Sequence, residues 1–280
     1  MITFVRRVTA ACLLGTALAA CATTVPPASR MARPAPSATS APPTLAPGPG
    51  GLTPVFRNGS RGHGRTVALT FDADMTADQG ARAAAGEHFD NPGLIAALRA
   101  LKVPATVFMT GRWAEEYPDQ ARSIGRDPLF EVANHSYSHH AFTDDCYGLP
   151  TVSADRMRAD VERAYTAFRK AGVPDARPYF RFPGGCYDRR ALRELTPVGV
   201  TAVQWDVVSG DAFATDAEAV ARQVLEGVRP GSVVVLHCTR SAAPTTERVV
   251  RTVVPRLRAR GFRFVKVSEL IGSRADRGLG

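Results

Sequence analysis

Residues 65–76 read RTVALTFDADMT. The first seven, 65–71, are mostly β-branched or apolar, which suits a strand. The run then ends in two acids, Asp72 and Asp74, with Ala73 between them. A strand that stops on acids marks either a turn or a working site. The rest of the chain has to say which.

The same grammar repeats downstream. Residues 91–103, NPGLIAALRALKV, place Leu94, Ile95, Leu98 and Leu101 on one helical stripe. PATVFMT (104–110) and FEVANH (130–135) read as strands, and 154–171 as a helix. RPYFRFPGG (177–185) is strand-like up to a Pro-Gly-Gly turn. TAVQWDVV (201–208) is a further strand. TDAEAVARQVLEG (215–227) opens on a Thr215–Glu218 capping box and closes at Gly227. GSVVVLH (231–237) is a buried strand, and 246–261 is a helix that Pro255 is expected to kink. FRFVKV (262–267) is the last strand. About seven strands alternating with helices, without internal repeats, predict an α/β domain: a parallel barrel or a doubly wound sheet.

Reactive residues fall where these strands end. Asp72 and Asp74 close the first, His135 and His139 follow FEVAN, and Arg181 with Pro183-Gly184-Gly185 closes another. Asp206 and Asp211 follow AVQW, and His237 ends SVVVL. A parallel barrel requires this clustering, because all its C-terminal strand ends open on one face.

Bulk properties narrow the partners. Apolar residues make up 45% of the 280, enough for a sizeable core. The formal charge of +9 suits acidic partners such as an anionic lipid or cell wall. Basic residues are scattered rather than clustered in a run, so nucleic acid is not expected. At the N-terminus, Arg6 and Arg7 precede an apolar stretch from Val8 to Ala20. That stretch is too short to span a membrane and has the length of a secretory signal. It ends in Leu18-Ala19-Ala20-Cys21, which resembles a bacterial lipobox. The expectation is a signal peptide over 1–20, a lipid on Cys21, and export to the outer face of the bacterial cell membrane. Residues 22–52 hold eight prolines, no acid and no aromatic, and read as a semi-extended tether. This assigns 21–54 to anchor and tether, 55–272 to a single catalytic domain, and 273–280 to a tail.

In NHSYSHH (134–140), His135 and His139 stand four apart. With Asp74 or Asp72 they supply two imidazoles and a carboxylate, a set that binds a divalent ion and leaves positions open. The second acid is then free to accept a proton from water.

At this point the chain resembles a known family. TFDADM, NHSYSH, RFPGG, WDVVSGD and VVLH occur in the order of the five motifs of NodB-type polysaccharide deacetylases, carbohydrate esterase family four. The resemblance covers about residues 65–270 and implies a distorted (β/α) barrel of about seven strands. It implies metal-dependent removal of acetyl groups from an N- or O-acetylated polysaccharide, with Zn²⁺ the expected ion. Position by position it implies Asp72 as base, oriented by Arg181, with His135 and His139 as metal ligands. The Gly184 N–H would bind the oxyanion, and His237, supported by Asp211, would be the acid. Peptidoglycan is the polymer favoured by tether and charge, with chitin oligomers and acetylated xylan open.

Three departures from the family pattern matter. Its paired aspartates are adjacent, whereas Ala73 separates them here and stands at the ligand's place, so Asp74 is expected to reach the ligand position through a changed turn; exchanged roles for Asp72 and Asp74, or Asp74 as a turn cap, are the alternatives. Ala212 stands where an aromatic walls the acetyl pocket, with Phe213 as substitute. Val208 stands at the other motif-four acid position, with Asp206 two residues earlier. The altered first motif keeps a second reading open, a degenerate barrel that binds glycan without turnover. Among the cysteines, Cys146 and Cys186 both precede tyrosine in glycine-containing loops and are expected to pair. Cys186 with Cys238 is the alternative, and otherwise Cys238 is a packed thiol.

Overall fold

The strand that runs into the two aspartates is an inner strand of the sheet. The computed structural model describes residues 41–62 and 64–275, so the signal-peptide and Cys21 readings lie outside the described residues. Strand β2 spans Thr66–Ala73 and is buried from Val67 onward. Successive side chains on a strand point to opposite faces. Val67, Leu69, Phe71 and Ala73 therefore meet the helical layer. Ala68, Thr70 and Asp72 point the other way, and Ala68 joins an inner apolar cluster with Phe108, Ala133 and Val233.

Eight further strands accompany it among the described residues: β1 (Val55–Phe56), β3 (Ala105–Met109), β4 (Phe130–Asn134), β5 (Tyr179–Phe180), β6 (Thr201–Val203), β7 (Val207–Val208), β8 (Ser232–His237) and β9 (Arg263–Phe264). Their order is β1-β6-β5-β4-β3-β2-β8-β7, with β9 also on β2. Every pairing is parallel. The register sets Asp72 level with Phe108 on one side and His237 on the other. The helices are α1 (Gly80–Ala84), α2 (Pro92–Ala100), α3 (Gly111–Glu116), α4 (Pro118–Gly125), α5 (Ala154–Ala171), α6 (Arg189–Leu195), α7 (Ala217–Gly227), α8 (Thr246–Ala259) and α9 (Val267–Ala275). The result is the expected distorted (β/α) barrel, left open between β1 and β7.

Several local expectations change. The described strands number nine rather than about seven. One reason is that TAVQWDVV breaks into β6 and β7. The Asp206 carboxylate leaves the ladder to accept from the Val233 N–H (2.7 Å) and the Ser232 hydroxyl (2.9 Å). The cap of α7 is Asp216, which accepts from the N–H groups of Glu218 and Ala219, and not a Thr215–Glu218 box. Helix α8 runs through Pro255. Pro255 and Arg251, whose carbonyl loses its donor, both sit on the exposed face, where water serves that carbonyl. FRFVKV keeps only two strand residues because α9 starts at Val267, whose N–H donates to the Thr106 hydroxyl (3.0 Å).

Helix α9 closes the end of the barrel where the strands begin. Its Val267, Leu270 and Ile271 pack on Phe56, Phe108 and Tyr179. The folded unit also starts earlier than residue 55. Leu45 packs on the same cluster, and the Pro43 carbonyl accepts from the Tyr179 hydroxyl (2.8 Å). Residues in the 41–54 segment therefore pack against the domain.

Candidate functional site

The strand ends β2, β4, β5, β7 and β8 open on one cavity of about 550 Å³. Asp72, Asp74, His135, His139, Gly184 and His237 line it. Arg181 and Asp211 lie behind this lining, both fully buried. All eight residues singled out in the sequence thus meet at one place.

Strand period explains the spacing of the acids. Positions two apart face the same side, so Asp72 and Asp74 both face the cavity while Ala73 faces the helices. Because β2 continues to Ala73, no changed turn is needed to bring Asp74 in. The two carboxylates then acquire different partners. Asp72 Oδ1 accepts from Arg181 Nη1 at 2.6 Å. That guanidinium is held by the Val203 carbonyl (3.3 Å) and lies 4.0 Å from the Phe108 ring centroid. Burial works against the Arg181 charge, and Asp72 supplies the compensating anion. Asp74 Oδ1 accepts from the Thr239 hydroxyl, and Oδ2 stands 3.6 Å from His139 Nε2. Burial would raise the Asp74 pKa, but His139, His237 and the Thr239 hydrogen bond overcome it and hold the group a carboxylate.

The histidines are set by an over-determined turn. Ser136 and His139 both adopt positive φ (71° and 58°). The Asn134 side chain accepts from the Ser136 N–H (2.8 Å), the Ser136 hydroxyl from the His139 N–H (2.9 Å), and Asp160 from the Tyr137 N–H (2.8 Å). His135 Nδ1 lies 2.9 Å from the Arg181 carbonyl, an acceptor only. The proton therefore sits on Nδ1, and Nε2 presents its lone pair 3.7 Å from Asp72 Oδ2. Burial, helped by His135, lowers the His139 pKa to about 4 despite Asp74. The His139 imidazole is thus suited to act as a neutral donor.

These donors fit a divalent ion. Ligands about 2.0 Å from a tetrahedral Zn²⁺ stand about 3.3 Å apart. Within this set Asp74 Oδ2 and His139 Nε2 stand 3.6 Å apart, while His135 Nε2 faces Asp72 Oδ2 at 3.7 Å. Among the described residues, no three His, Cys, Asp or Glu side chains are already closed around one point.

Across the cavity, His237 Nδ1 stands 2.8 Å from Asp211 Oδ1. Asp211 also accepts from the His237 N–H (2.8 Å), the Ser209 hydroxyl (2.9 Å) and the Thr246 hydroxyl (2.7 Å). Burial alone would lower the His237 pKa. Asp211, with Asp74 and Asp72, reverses this and raises it to about 9. His237 is therefore a cation at neutral pH, with Nε2 free to give a proton.

Gly184 has φ +63°, and a Cβ there would lie 2.5 Å from Cys146 Sγ. The glycine is demanded by the expected disulfide, which joins Cys146 to Cys186. Cys238 is free and buried, and burial pushes its thiol up to about 12. Asp206 does not reach the cavity; it ties Arg61 (2.7 Å) to the start of β8. Thr239 was missed in the sequence, although it stands two residues after His237 and so faces the same side. Ser209 and Thr246 carried no signal of this kind.

Comparison with known proteins agrees with this geometry. The sequence profile of a family described as polysaccharide deacetylase matches residues 59–203. That span holds Asp72, Asp74, His135, His139, Arg181 and Gly184, and ends before Asp211 and His237. A chitooligosaccharide deacetylase of Azorhizobium caulinodans is 30% identical over 187 residues, 61% of this chain and 83% of that one. The solved structure of the Bc1960 peptidoglycan N-acetylglucosamine deacetylase superposes with a TM-score of 0.65 at 24% identity, covering 78% of this chain and 92% of that one. A pseudoenzyme of carbohydrate esterase family four from Bacillus anthracis superposes at 0.62 with 22% identity, covering 78% and 69%.

Proposed function

This chain belongs to the polysaccharide deacetylase family, and from that premise we propose that it hydrolyses acetyl groups from an N-acetylated, or O-acetylated, glycan of the cell wall in a metal-dependent reaction. The observation that carries the proposal is the division of labour around the cavity. One carboxylate is held by Arg181 and faces His135, a second faces His139, and a cationic His237 stands across from them.

His135, His139 and Asp74 hold the divalent ion, with Zn²⁺ favoured by the nitrogen and oxygen donor set. When bound, it polarises the acetyl carbonyl. Asp72 accepts the proton of the attacking water, and Arg181 keeps it oriented. The Gly184 N–H donates to the oxygen that gains charge in the tetrahedral intermediate. His237 gives its Nε2 proton to the departing amine or alkoxide, and Asp211 keeps that proton in place until then. The N-terminal signal and Cys21 support an exported protein anchored at the outer face of the cell membrane. There a basic domain meets acidic wall polymer, with peptidoglycan the favoured substrate.

The test is acetate release from peptidoglycan, chitin oligomers and acetylated xylan by metal-stripped and Zn²⁺-reloaded protein. Activity on at least one polymer that requires reloading is the expected result. No release by reloaded protein overturns the proposal. A second reading, glycan binding without turnover, is favoured by one observation, the donor set that is not yet closed. The His237–Asp211 pair argues against it, because a binder needs no acid.

A further inference from the structure

Among the described residues three large apolar side chains stand exposed: Tyr147 at 87%, Phe213 at 83% and Val208 at 53%. All three border the same cavity as Asp72 and His237. An exposed apolar cluster at the mouth of a polar site is the signature of a ligand surface. Tyr147 and Phe213 are too exposed to wall a methyl-sized acetyl pocket; their rings stand out beyond it.

Both rings are also placed at a cost. Tyr147 and Phe213 have positive φ, 51° and 59°. That region is unfavourable for a bulky residue and persists only where surroundings impose it. For Tyr147, the surroundings are the Cys146–Cys186 bond, the Leu149 N–H on the Cys146 carbonyl (3.0 Å), and the loop base where the Ala141 N–H meets the Pro150 carbonyl (2.7 Å). The ring edge lies along Gly184, 3.3 Å from where a Cβ would be. For Phe213, its own N–H is held by the Ala242 carbonyl (2.6 Å). One ring rises from the loop after β4 and the other from the loop after β7, so they stand on separate rims around the reacting centre.

Resting on the reading of the site as a glycan deacetylase, we propose that Tyr147 and Phe213 are stacking platforms for the pyranose rings on either side of the one that loses its acetyl group. A gluco-configured pyranose presents flat faces of C–H bonds, the complement of an exposed aromatic ring. The substrate is then an oligomer or polymer, read over several sugars, and the disulfide is the device that holds one platform in position.

The experiment is isothermal titration calorimetry of the metal-loaded full chain with N-acetylglucosamine oligomers of one to five residues, with acetate release measured separately. Wild-type affinity is expected to rise with chain length. Tyr147→Ala and Phe213→Ala should each weaken pentamer binding about tenfold, with the loss shrinking as the oligomer shortens. Tyr147→Phe keeps the ring and should bind as wild type, and Cys146→Ser/Cys186→Ser should resemble Tyr147→Ala. Melting temperatures of the single variants near wild type exclude misfolding as the cause. Affinity that does not grow with length, or alanine variants that keep all of the gain, overturns the platforms. Length-dependent binding that needs both rings but releases no acetate overturns the deacetylase reading and leaves the platforms standing.

Discussion

The two ends of the barrel bury similar polar side chains and use them oppositely. Where the strands begin, Glu131 is buried and its Oε1 accepts from the Thr106 hydroxyl (2.7 Å) and the Ser268 N–H (3.1 Å). Thr106 in turn accepts from the Val267 N–H. These bonds satisfy N–H groups at the start of α9, and a carboxylate suits a helix N-terminus. Glu131 Oε1 is thereby spent in holding the helix over the core, and Oε2 stands 3.7 Å from Arg177 Nε. Where the strands end, the polar side chains line an open cavity. Asp74 Oδ2 and His135 Nε2 face other donors across open space. A buried carboxylate met by backbone amides is structure, and one met by imidazoles and a cavity is chemistry.

Substitutions at the two ends can break or sharpen that contrast. The largest expected effect is at the open end. His135→Ala should abolish metal retention and acetate release together, as read by metal analysis and product assay. Full activity in metal-stripped variant protein would refute the role. Next, Asp72→Asn should keep the metal and lower turnover by at least about 10²-fold. Asp74→Asn should weaken metal binding instead, with rate partly restored by excess metal. The reverse pattern would exchange the two roles.

At the closed end, Glu131→Ala leaves buried donors unpaired and should lower stability by about 1–3 kcal/mol in denaturant unfolding. The kcat of the folded fraction should hold. A large fall in kcat at unchanged stability would erase the distinction between the ends.

The smallest effect is a shift on the pH axis. The His237 pKa is raised to about 9, so the imidazolium persists through neutral pH and activity should fall as pH passes about 9. Removing the charge in Asp211→Asn should move that limb to lower pH by about one unit or more. The same sign governs stability. Pairing with Asp211 contributes fully below the ordinary histidine value, near 6.5, and is lost as pH rises through about 9. An alkaline limb unmoved in Asp211→Asn would detach His237 from the profile.

Much of this was legible in the chain because it is local. Short runs of β-branched and apolar residues located β2, β3, β4 and β8, and acids or histidines near their ends marked the working face. Cys146 and Cys186 were legible from their loops. The single-turn and two-turn helices α3, α4 and α6 were not, since segments so short owe their existence to packing rather than to propensity. Asp206 looked like a member of the site and proved to be a tie to β8. A carboxylate near a strand end reads the same from the sequence at either end of a barrel.

The sequence by itself determined which reactive side chains exist and that Asp72 and Asp74 share a face, because strand alternation needs only neighbouring residues. The tertiary structure alone decided what each acid does. Arg181 reaches Asp72 across 109 positions and Thr239 reaches Asp74 across 165. Two chemically identical carboxylates were told apart by partners that only the closing of the sheet could deliver.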